Sequence, residues 1–267
     1  MPAGPVKADA AVDLAWAVDQ DMPPGPYPRS SQFVFQRVPQ LVTAAATAGA
    51  PRRVLDVACG LGGQLDLLRA NDREAWGLDS SFALARHCRQ QFAGDRNALI
   101  VCATAEELPF RDSTFDRIIC QGSIDHFANP GTFLAEVARV LRPDGRAVIG
   151  ISNFDSLSCR IGRGLYRAKA LLRLPVYRGR MYWDIPANHT FKGTYRVLRQ
   201  MAAPHLKLVE CRGISLLWLF HTWTRLMDTL PERWAWMAMR TLDRIAYRTP
   251  RLADLIVSVW RPRKDGP

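Results

Sequence analysis

Two carboxylates and a glycine turn carry the clearest chemical signal in this sequence. Asp56 closes an apolar, β-prone run, and Gly60 and Gly62 follow it directly. Glycine lets the backbone turn sharply and approach a ligand where a Cβ would clash. The apolar run after Gly62 predicts a helix, whose N-terminal N–H groups would point at that ligand. An acid at this position would repel a pyrophosphate, so it suits a ligand with a cationic end, such as an amino-acid ammonium.

A second acid, Asp79, stands at the predicted end of the next strand. It follows the glycine turn by about twenty residues, the spacing at which a carboxylate accepts hydrogen bonds from both ribose hydroxyls of a bound nucleotide. Alternatively, it belongs with Ser80 and Ser81 to the N-cap of the following helix. The two roles are compatible, and the spacing favours the ribose role.

Strands and helices alternate from residue 52 onwards, which predicts a parallel sheet covered by helices. The predicted strands span residues 53–57, 74–78, 98–102, 115–120, 147–151, 206–210 and 255–262. The predicted helices span residues 8–20, 33–48, 62–71, 81–91, 132–141, 156–174 and 194–201. In an open α/β sheet, ligands bind at the carboxyl ends of the strands, where the glycine turn lies.

Four more motifs follow the glycine turn along the chain. They are TAEELPF at 104–110, FDRII at 115–119, HFANP at 126–130 and LRPDGR at 141–146. With DVACGLGG at 56–63, they resemble in order and spacing the motifs of class I S-adenosylmethionine (SAM)-dependent methyltransferases, in the small-molecule-acceptor (type 11) branch. Two positions depart from the family pattern: Ala58 replaces its first glycine, and Thr104 replaces an acid.

This resemblance implies a fold, a cofactor and a reaction. The fold is α/β, a Rossmann-like doubly wound sheet that is mostly parallel with an antiparallel last strand, plus helical insertions on the acceptor side. The reaction is transfer of a methyl group from SAM to a small lipophilic or anionic acceptor, with O-, N- and C-methylation all open. The residues that the resemblance implies for SAM binding are Asp56, Ala58, Gly60, Gly62, Asp79, Ser80, Thr104, Ala105, Glu106 and Gln121.

Two histidines are candidate catalytic residues under this resemblance. A hydroxyl or phenol acceptor needs a base to remove its proton, and histidine serves this purpose near neutral pH. His126 is the first candidate, and His189, in a segment that resembles the family's entry to its final helix, is the second. Methyl transfer requires no metal, and the sequence is expected to bind none.

Two other functions are considered. A nicotinamide-dependent oxidoreductase would need G-x-G-x-x-G, but Leu65 stands where the third glycine belongs. A non-catalytic SAM-binding or membrane-peripheral scaffold protein would share the cofactor half and stays an alternative.

The motifs divide the chain into four segments of one domain. Residues 1–51 form an N-terminal helical segment that could act as a lid, with Tyr27, Phe33 and Phe35 as its aromatic residues, and residues 52–153 form the SAM-binding core. Residues 154–204 hold a helical insertion and a final sheet-packing helix, and residues 205–267 hold the last two strands around a Trp-rich helical insertion. The aromatic residues of that insertion suit an acceptor pocket, a homodimer interface or plain packing.

Charge and composition limit the partners and the cellular location that can be expected for this protein. The formal net charge is +11, and the segment 156–180 is rich in arginine without an acid. A basic and apolar helix can lie on an anionic membrane or bind a phosphorylated acceptor, or it can simply be solvated. No nucleic acid is predicted, because RNA-binding signatures are absent. Six scattered cysteines without a C-x-x-C pair, and the lack of a signal peptide, predict buried thiols and a cytoplasmic protein, with a membrane-peripheral location as the alternative.

Overall fold

The structure is a computed structural model that describes residues 27–70 and 73–263. The helix predicted over 8–20 lies outside the described residues, as does the end of the helix predicted over 62–71. Residues 1–26 of the segment predicted to be a lid lie there as well, whereas its aromatic residues Tyr27, Phe33 and Phe35 are described: Phe33 is buried in the core, and Phe35 is exposed.

A seven-stranded sheet forms the centre of the molecule, in the order β3-β2-β1-β4-β5-β7-β6. Its strands are β1 (Arg53–Val57), β2 (Glu74–Asp79), β3 (Ala98–Cys102), β4 (Phe115–Gln121), β5 (Leu141–Ser152), β6 (Leu206–Ile214) and β7 (Leu255–Pro262). Strands β1 to β5 pair in parallel, and β7 runs antiparallel to both β5 and β6. The predicted fold class is therefore confirmed, including the antiparallel last strand.

Helices cover both faces of this sheet. They are α1 (Arg29–Thr47), α2 (Gly63–Leu68), α3 (Phe82–Gln91), α4 (Pro130–Val140), α5 (Leu157–Leu171), α6 (Tyr195–Ala202), α7 (His221–Thr229) and α8 (Glu232–Arg248). The apolar sides of α4 and α6 form one core with the sheet, and those of α1, α2, α3, α7 and α8 form the other. The carboxyl ends of β1, β2 and β4 are left at one edge of the sheet, where the sequence places the site.

Three predicted boundaries are wrong by four residues or more. Strand β6 continues to Ile214 rather than ending at 210, because it pairs with β7 along its whole length. Strand β5 begins at Leu141 rather than 147, because Leu141 pairs with Phe115 and the chain then bulges until Arg146 pairs with Arg117. Helix α1 begins at Arg29 rather than 33 and continues through Pro39. Its buried side chains recur at helical spacing and pack on the sheet, which offsets the backbone hydrogen bond that proline cannot donate.

The prediction of buried thiols is wrong for two of the cysteines. Cys102 is exposed and Cys211 is half-buried, whereas the other four are buried. Both exceptions lie on the outermost strands, β3 and β6, where the sheet has a neighbour on one side only.

Candidate active site

The turn after β1 adopts left-handed backbone at three positions. The φ angles are +57° at Ala58, +53° at Gly60 and +78° at Gly62. Glycine occupies two of these positions, as expected, because a left-handed conformation costs other residues about 1–2 kcal/mol. Ala58 is the exception, and its positive φ gives a physical reason for the glycine that the family motif has there.

Gly62 is also required by packing. It is the N-cap of α2, and a Cβ built on it would lie 2.8 Å from Cε2 of Phe92 and 3.1 Å from Sγ of Cys88. The Cys88 thiol donates a hydrogen bond to the Gly60 carbonyl at 2.9 Å. Helix α3 and the residue after it therefore press directly on the turn and fix its shape.

Asp79 joins the turn to the next strand. Its Oδ2 accepts a hydrogen bond from the Gly60 N–H at 3.0 Å, and its Oδ1 accepts one from the Ser81 N–H at 2.9 Å. The Ser81 hydroxyl in turn caps α3 by accepting from the Leu84 N–H. Asp79 thus contributes to the helix cap and faces the glycine turn, while Ser80 beside it is half-buried.

Asp56 and Asp79 are both buried, which gives this strand edge a negative character. Burial raises the pKa of Asp56 well above its usual range, and the Cys88 thiol and the Asp79 carboxylate raise it further. An ionised Asp56 is therefore costly in the protein alone. A positively charged group of a ligand would lower that cost.

The segment after β3, at residues 104–110, is held in place by hydrogen bonds to α4 and its N-cap residue. Ala105 is buried, Thr104 is half-buried, and Oε1 of Glu106 accepts a hydrogen bond from the Asn129 N–H at 3.2 Å. An open depression of ≈ 700 Å³ lies against this segment, with Thr104, Glu106 and Pro109 among its lining residues.

Two α4 residues hold the adjoining loop, and the sequence analysis missed both. Glu136 accepts a hydrogen bond from the Leu108 N–H at 2.9 Å, and Arg139 donates to the carbonyls of Leu108 and Phe110 at 3.0 and 2.8 Å. The hydrogen bond from Arg139 lowers the pKa of Glu136, which keeps its carboxylate ionised. Their spacing of three residues on one helix face was the signal that could have found the pair.

Gln121 ends β4 at the same edge of the sheet. Its Oε1 is buried and has no hydrogen-bond partner within residues 27–70 and 73–263. The amide lies directly against Gly150 of β5, where a Cβ would collide with it. A buried oxygen without a hydrogen-bond partner can accept a hydrogen bond from a ligand.

His126 and His189 meet at this edge although they are distant in sequence. Their rings are perpendicular, with centroids 4.6 Å apart, and Nδ1 of His189 lies 3.1 Å from Oδ2 of Asp125. Nδ1 of His189 is buried and forms no hydrogen bond within the described residues. Asp125 was not among the predicted site residues, although its position beside His126 after a predicted strand was a usable signal.

Burial lowers the pKa of His189 below its usual range. The negative charge of Asp125 opposes this shift, whereas the positive charges of His126 and Arg180 add to it. His189 is therefore a neutral imidazole near pH 7, which is the state that can accept a proton.

Comparison with known proteins identifies the central part of the chain. Residues 55–149 match the family model of a methyltransferase domain. The chain is 35% identical to a demethylmenaquinone methyltransferase of Clavibacter sepedonicus over 107 residues, which cover 40% of this chain and 44% of the relative. It is 34% identical to a fatty-acid O-methyltransferase of Mycolicibacterium smegmatis over 146 residues, which cover 52% of each protein. The chain thus spans about half the length of the curated relatives that it matches.

Solved structures agree with this sheet and its helices. The PH0226 protein from Pyrococcus horikoshii OT3 superposes with a TM-score of 0.57 at 19% identity, covering 86% of this chain and 91% of that one. The YcgJ protein from Bacillus subtilis superposes with a TM-score of 0.54 at 19% identity, covering 86% of this chain and 100% of that one. At this level of identity these similarities show the fold alone. The domain match and the relatives identify residues 55–149 as a methyltransferase domain of the class I SAM-dependent type.

Proposed function

We propose that this protein transfers a methyl group from SAM to a small lipophilic or anionic acceptor. The observation that carries the proposal is the pair of buried carboxylates, Asp56 and Asp79, on either side of a left-handed glycine turn at the carboxyl edge of the sheet. SAM, when bound, supplies a methyl group activated by a sulfonium, so the protein has to bind, align and desolvate the reactants.

The described residues fit the methionine end of this cofactor. Its ammonium would neutralise the buried Asp56 carboxylate, and the unpartnered Oε1 of Gln121 offers a buried acceptor at the same edge. The turn at Ala58, Gly60 and Gly62 leaves the backbone accessible close to the ligand.

The nucleoside end fits the neighbouring strands. Asp79 would accept hydrogen bonds from the ribose hydroxyls, with the half-buried Ser80 beside it. The loop formed by Thr104, Ala105 and Glu106 would frame the adenine. That loop is anchored to Asn129 and α4, so it is already held in place for a planar ring.

His126 and His189 are the proposed bases for a hydroxyl acceptor. His189 is neutral near pH 7 because it is buried, and Asp125 lies close enough to stabilise the imidazolium that proton transfer would create. In this role, removal of the reacting histidine lowers turnover about 10²–10⁴-fold, the usual contribution of a general base. Full turnover of both His126→Ala and His189→Ala would remove this part of the proposal.

Two observations favour a lipophilic acceptor. The relatives named above are a fatty-acid O-methyltransferase and a methyltransferase of demethylmenaquinone, both of which name apolar acceptors. The Trp-rich insertion also offers half-buried aromatic surface, at Trp218, Trp223 and Trp236, beside the core of the α1 face.

A membrane-peripheral location is the second part of the proposal, and it rests on the segment 156–180. Only the start of α5 is packed, and beyond it Leu171 and Leu172 are 85% and 69% exposed. Among the described residues, Arg167 and Arg173 in the same stretch have no ion-pair partner. None of the described helices has the length and apolar character to cross a bilayer. Basic residues near an anionic surface contribute about 1 kcal/mol each, so this segment suits surface binding.

Vesicle co-sedimentation at two salt concentrations tests this location. The wild type should sediment with anionic vesicles at low salt, less at high salt, and little with zwitterionic vesicles. A Leu171→Ser/Leu172→Ser variant should lose binding, whereas Leu226→Ser, which changes an exposed leucine of α7, should keep it. Binding that is absent, or equal for all three proteins, would contradict the proposed membrane contact.

A homodimer is the remaining proposal about partners. Trp234 and Met237 expose apolar surface on α8. Such a patch is typical of a protein interface. Light scattering after gel filtration should show a dimer that Trp234→Ser/Met237→Ser converts to a monomer; a wild-type monomer would contradict it.

The acceptor is identified by incubation with methyl-labelled SAM and an extract of source cells. Label in the organic phase is expected. Label in the aqueous small-molecule fraction would replace the lipophilic acceptor by a polar one, and label in the macromolecular pellet would overturn the small-molecule proposal. SAM binding without transfer in any fraction would favour the non-catalytic SAM-binding alternative.

A further inference from the structure

Asp125, His126 and His189 form a cluster with the chemistry of a metal site. We propose that they bind a divalent transition-metal ion beside the site of methyl transfer. The three side chains each offer one ligand atom, and these atoms all lie within 4.8 Å of one another. Binding of the ion is independent of the proposed methyl transfer, whereas its role in the reaction rests on that function.

The geometry is close to that of a bound ion. Zinc–nitrogen and zinc–oxygen distances are about 2.0–2.2 Å, so three ligands of one ion stand roughly 3–4 Å apart. Nδ1 of His189 and Oδ2 of Asp125 are already 3.1 Å apart. Small rotations of the His126 and His189 rings, whose centroids are 4.6 Å apart, would complete the arrangement.

An unpartnered buried carboxylate is the second observation. Asp125 is only 3% exposed, and its Oδ1 has no hydrogen-bond partner in the described part of the chain. Nδ1 of His189 is buried and likewise forms no hydrogen bond there. Buried polar atoms of native proteins are nearly always partnered, and buried charges are paired or coordinate metals. A cation between these two residues would satisfy both atoms.

The backbone holds the two halves of the cluster together. The N–H and hydroxyl of Thr190 donate hydrogen bonds to the Asp125 carbonyl at 2.7 and 3.1 Å. The ring of Phe154 packs against His189 at 5.7 Å between centroids. The ligands are thus positioned in advance, although they come from the 3-10 turn Ile124–His126, which follows β4, and from the loop before α6.

The ligand set indicates the class of ion and its use. Two imidazoles and one carboxylate suit Zn²⁺, Fe²⁺ and related ions rather than Mg²⁺ or Ca²⁺, which prefer oxygen ligands. Three protein ligands leave an open position, as in catalytic sites. With the ion bound, the two imidazoles serve as its ligands in place of their proposed role as bases. An acceptor hydroxyl bound at the open position would lose its proton to water more readily, so the site predicts an oxygen acceptor.

Cobalt and zinc binding to tag-free, chelator-treated protein tests the site. We expect one Co²⁺ per chain, with visible absorption bands that Zn²⁺ displaces. Asp125→Asn and His189→Ala should each weaken binding by at least about 100-fold, since even the loss of outer-sphere partners costs 10–100-fold. His87→Ala, which removes an exposed histidine of α3, should bind as the wild type does.

The outcomes separate this inference from the proposed function. Circular dichroism and SAM titration of every variant show whether the fold and the cofactor site are intact; Asp125→Asn keeps the side-chain shape if His189→Ala does not fold. SAM binding without Co²⁺ binding, or Co²⁺ binding that Asp125→Asn leaves unchanged, would overturn the metal site and leave the methyltransferase proposal standing. Co²⁺ binding without SAM binding would do the reverse.

Discussion

Substitution of Gly62 by alanine should damage this protein in two ways that can be measured separately. The left-handed φ of +78° costs alanine about 1–2 kcal/mol. The new Cβ would also lie 2.8 Å from the ring of Phe92, which is buried, and such overpacking costs about 1–3 kcal/mol. The lower entropy of unfolded alanine offsets about 0.4–1 kcal/mol. The free energy of unfolding should therefore fall by about 1–5 kcal/mol.

Two other glycines provide matched controls. Gly94 has a φ of +87°, but a Cβ there would meet no atom within 4 Å, so Gly94→Ala should cost only the conformational part, about 1 kcal/mol or less. Gly63 lies in α2 with open space around it, so Gly63→Ala should be neutral or stabilise by up to about 1 kcal/mol.

Guanidinium unfolding followed by circular dichroism measures all three values, and calorimetric titration measures SAM affinity. Only Gly62→Ala should lose SAM binding, because only this change moves the turn against α3. Equal destabilisation by Gly62→Ala and Gly94→Ala would show that contact with Phe92 does not limit the turn, and would refute the packing argument.

Three further predictions concern the site. Asp56→Asn should raise the melting temperature and weaken SAM binding, because burial raises the pKa of Asp56 and its charge opposes folding at neutral pH; a lower melting temperature would contradict this. Ala58→Gly should raise the free energy of unfolding by about 0.5–1 kcal/mol, because glycine relieves the strain of the left-handed backbone. A lower free energy of unfolding in denaturant titration would show that this strain is absent. Because burial lowers the pKa of His189, this residue binds a proton more readily in the unfolded chain than in the folded protein, so stability should fall as pH drops below about 6.5. Melting curves of His189→Gln should show a smaller fall with pH. An unchanged pH dependence would exclude His189 as its cause.

The sheet could be predicted because its strands are short apolar runs bounded by glycine and acids. The rule that ligands bind at the carboxyl ends of parallel strands then placed Asp56 and Asp79 at one edge before any coordinates. The early start of β5 could not be predicted, since Pro143 and Gly145 suggest a turn. Pairing of Leu141 with Phe115 across the bulge is a tertiary interaction.

The rest of the site depends on contacts between distant residues. Glu136 and Arg139 carry no motif, yet they hold the loop at Leu108 and Phe110. The sequence indicated His126 and His189 separately, as alternatives. Only the folded chain shows that the two rings meet, and that Asp125, which follows β4, lies next to His189 in the loop before α6.

Calorimetric titration of SAM into the wild type and Asp79→Asn tests whether this strand edge binds the cofactor. One SAM should bind per wild-type chain. Binding to Asp79→Asn should be about 10–100-fold weaker, because the amide keeps only one of the two carboxylate oxygens that could accept from the ribose. NADH, titrated in parallel, should not bind. Failure of SAM to bind the folded wild type, or equal affinity of the two proteins for SAM, would contradict the cofactor site described for this strand edge.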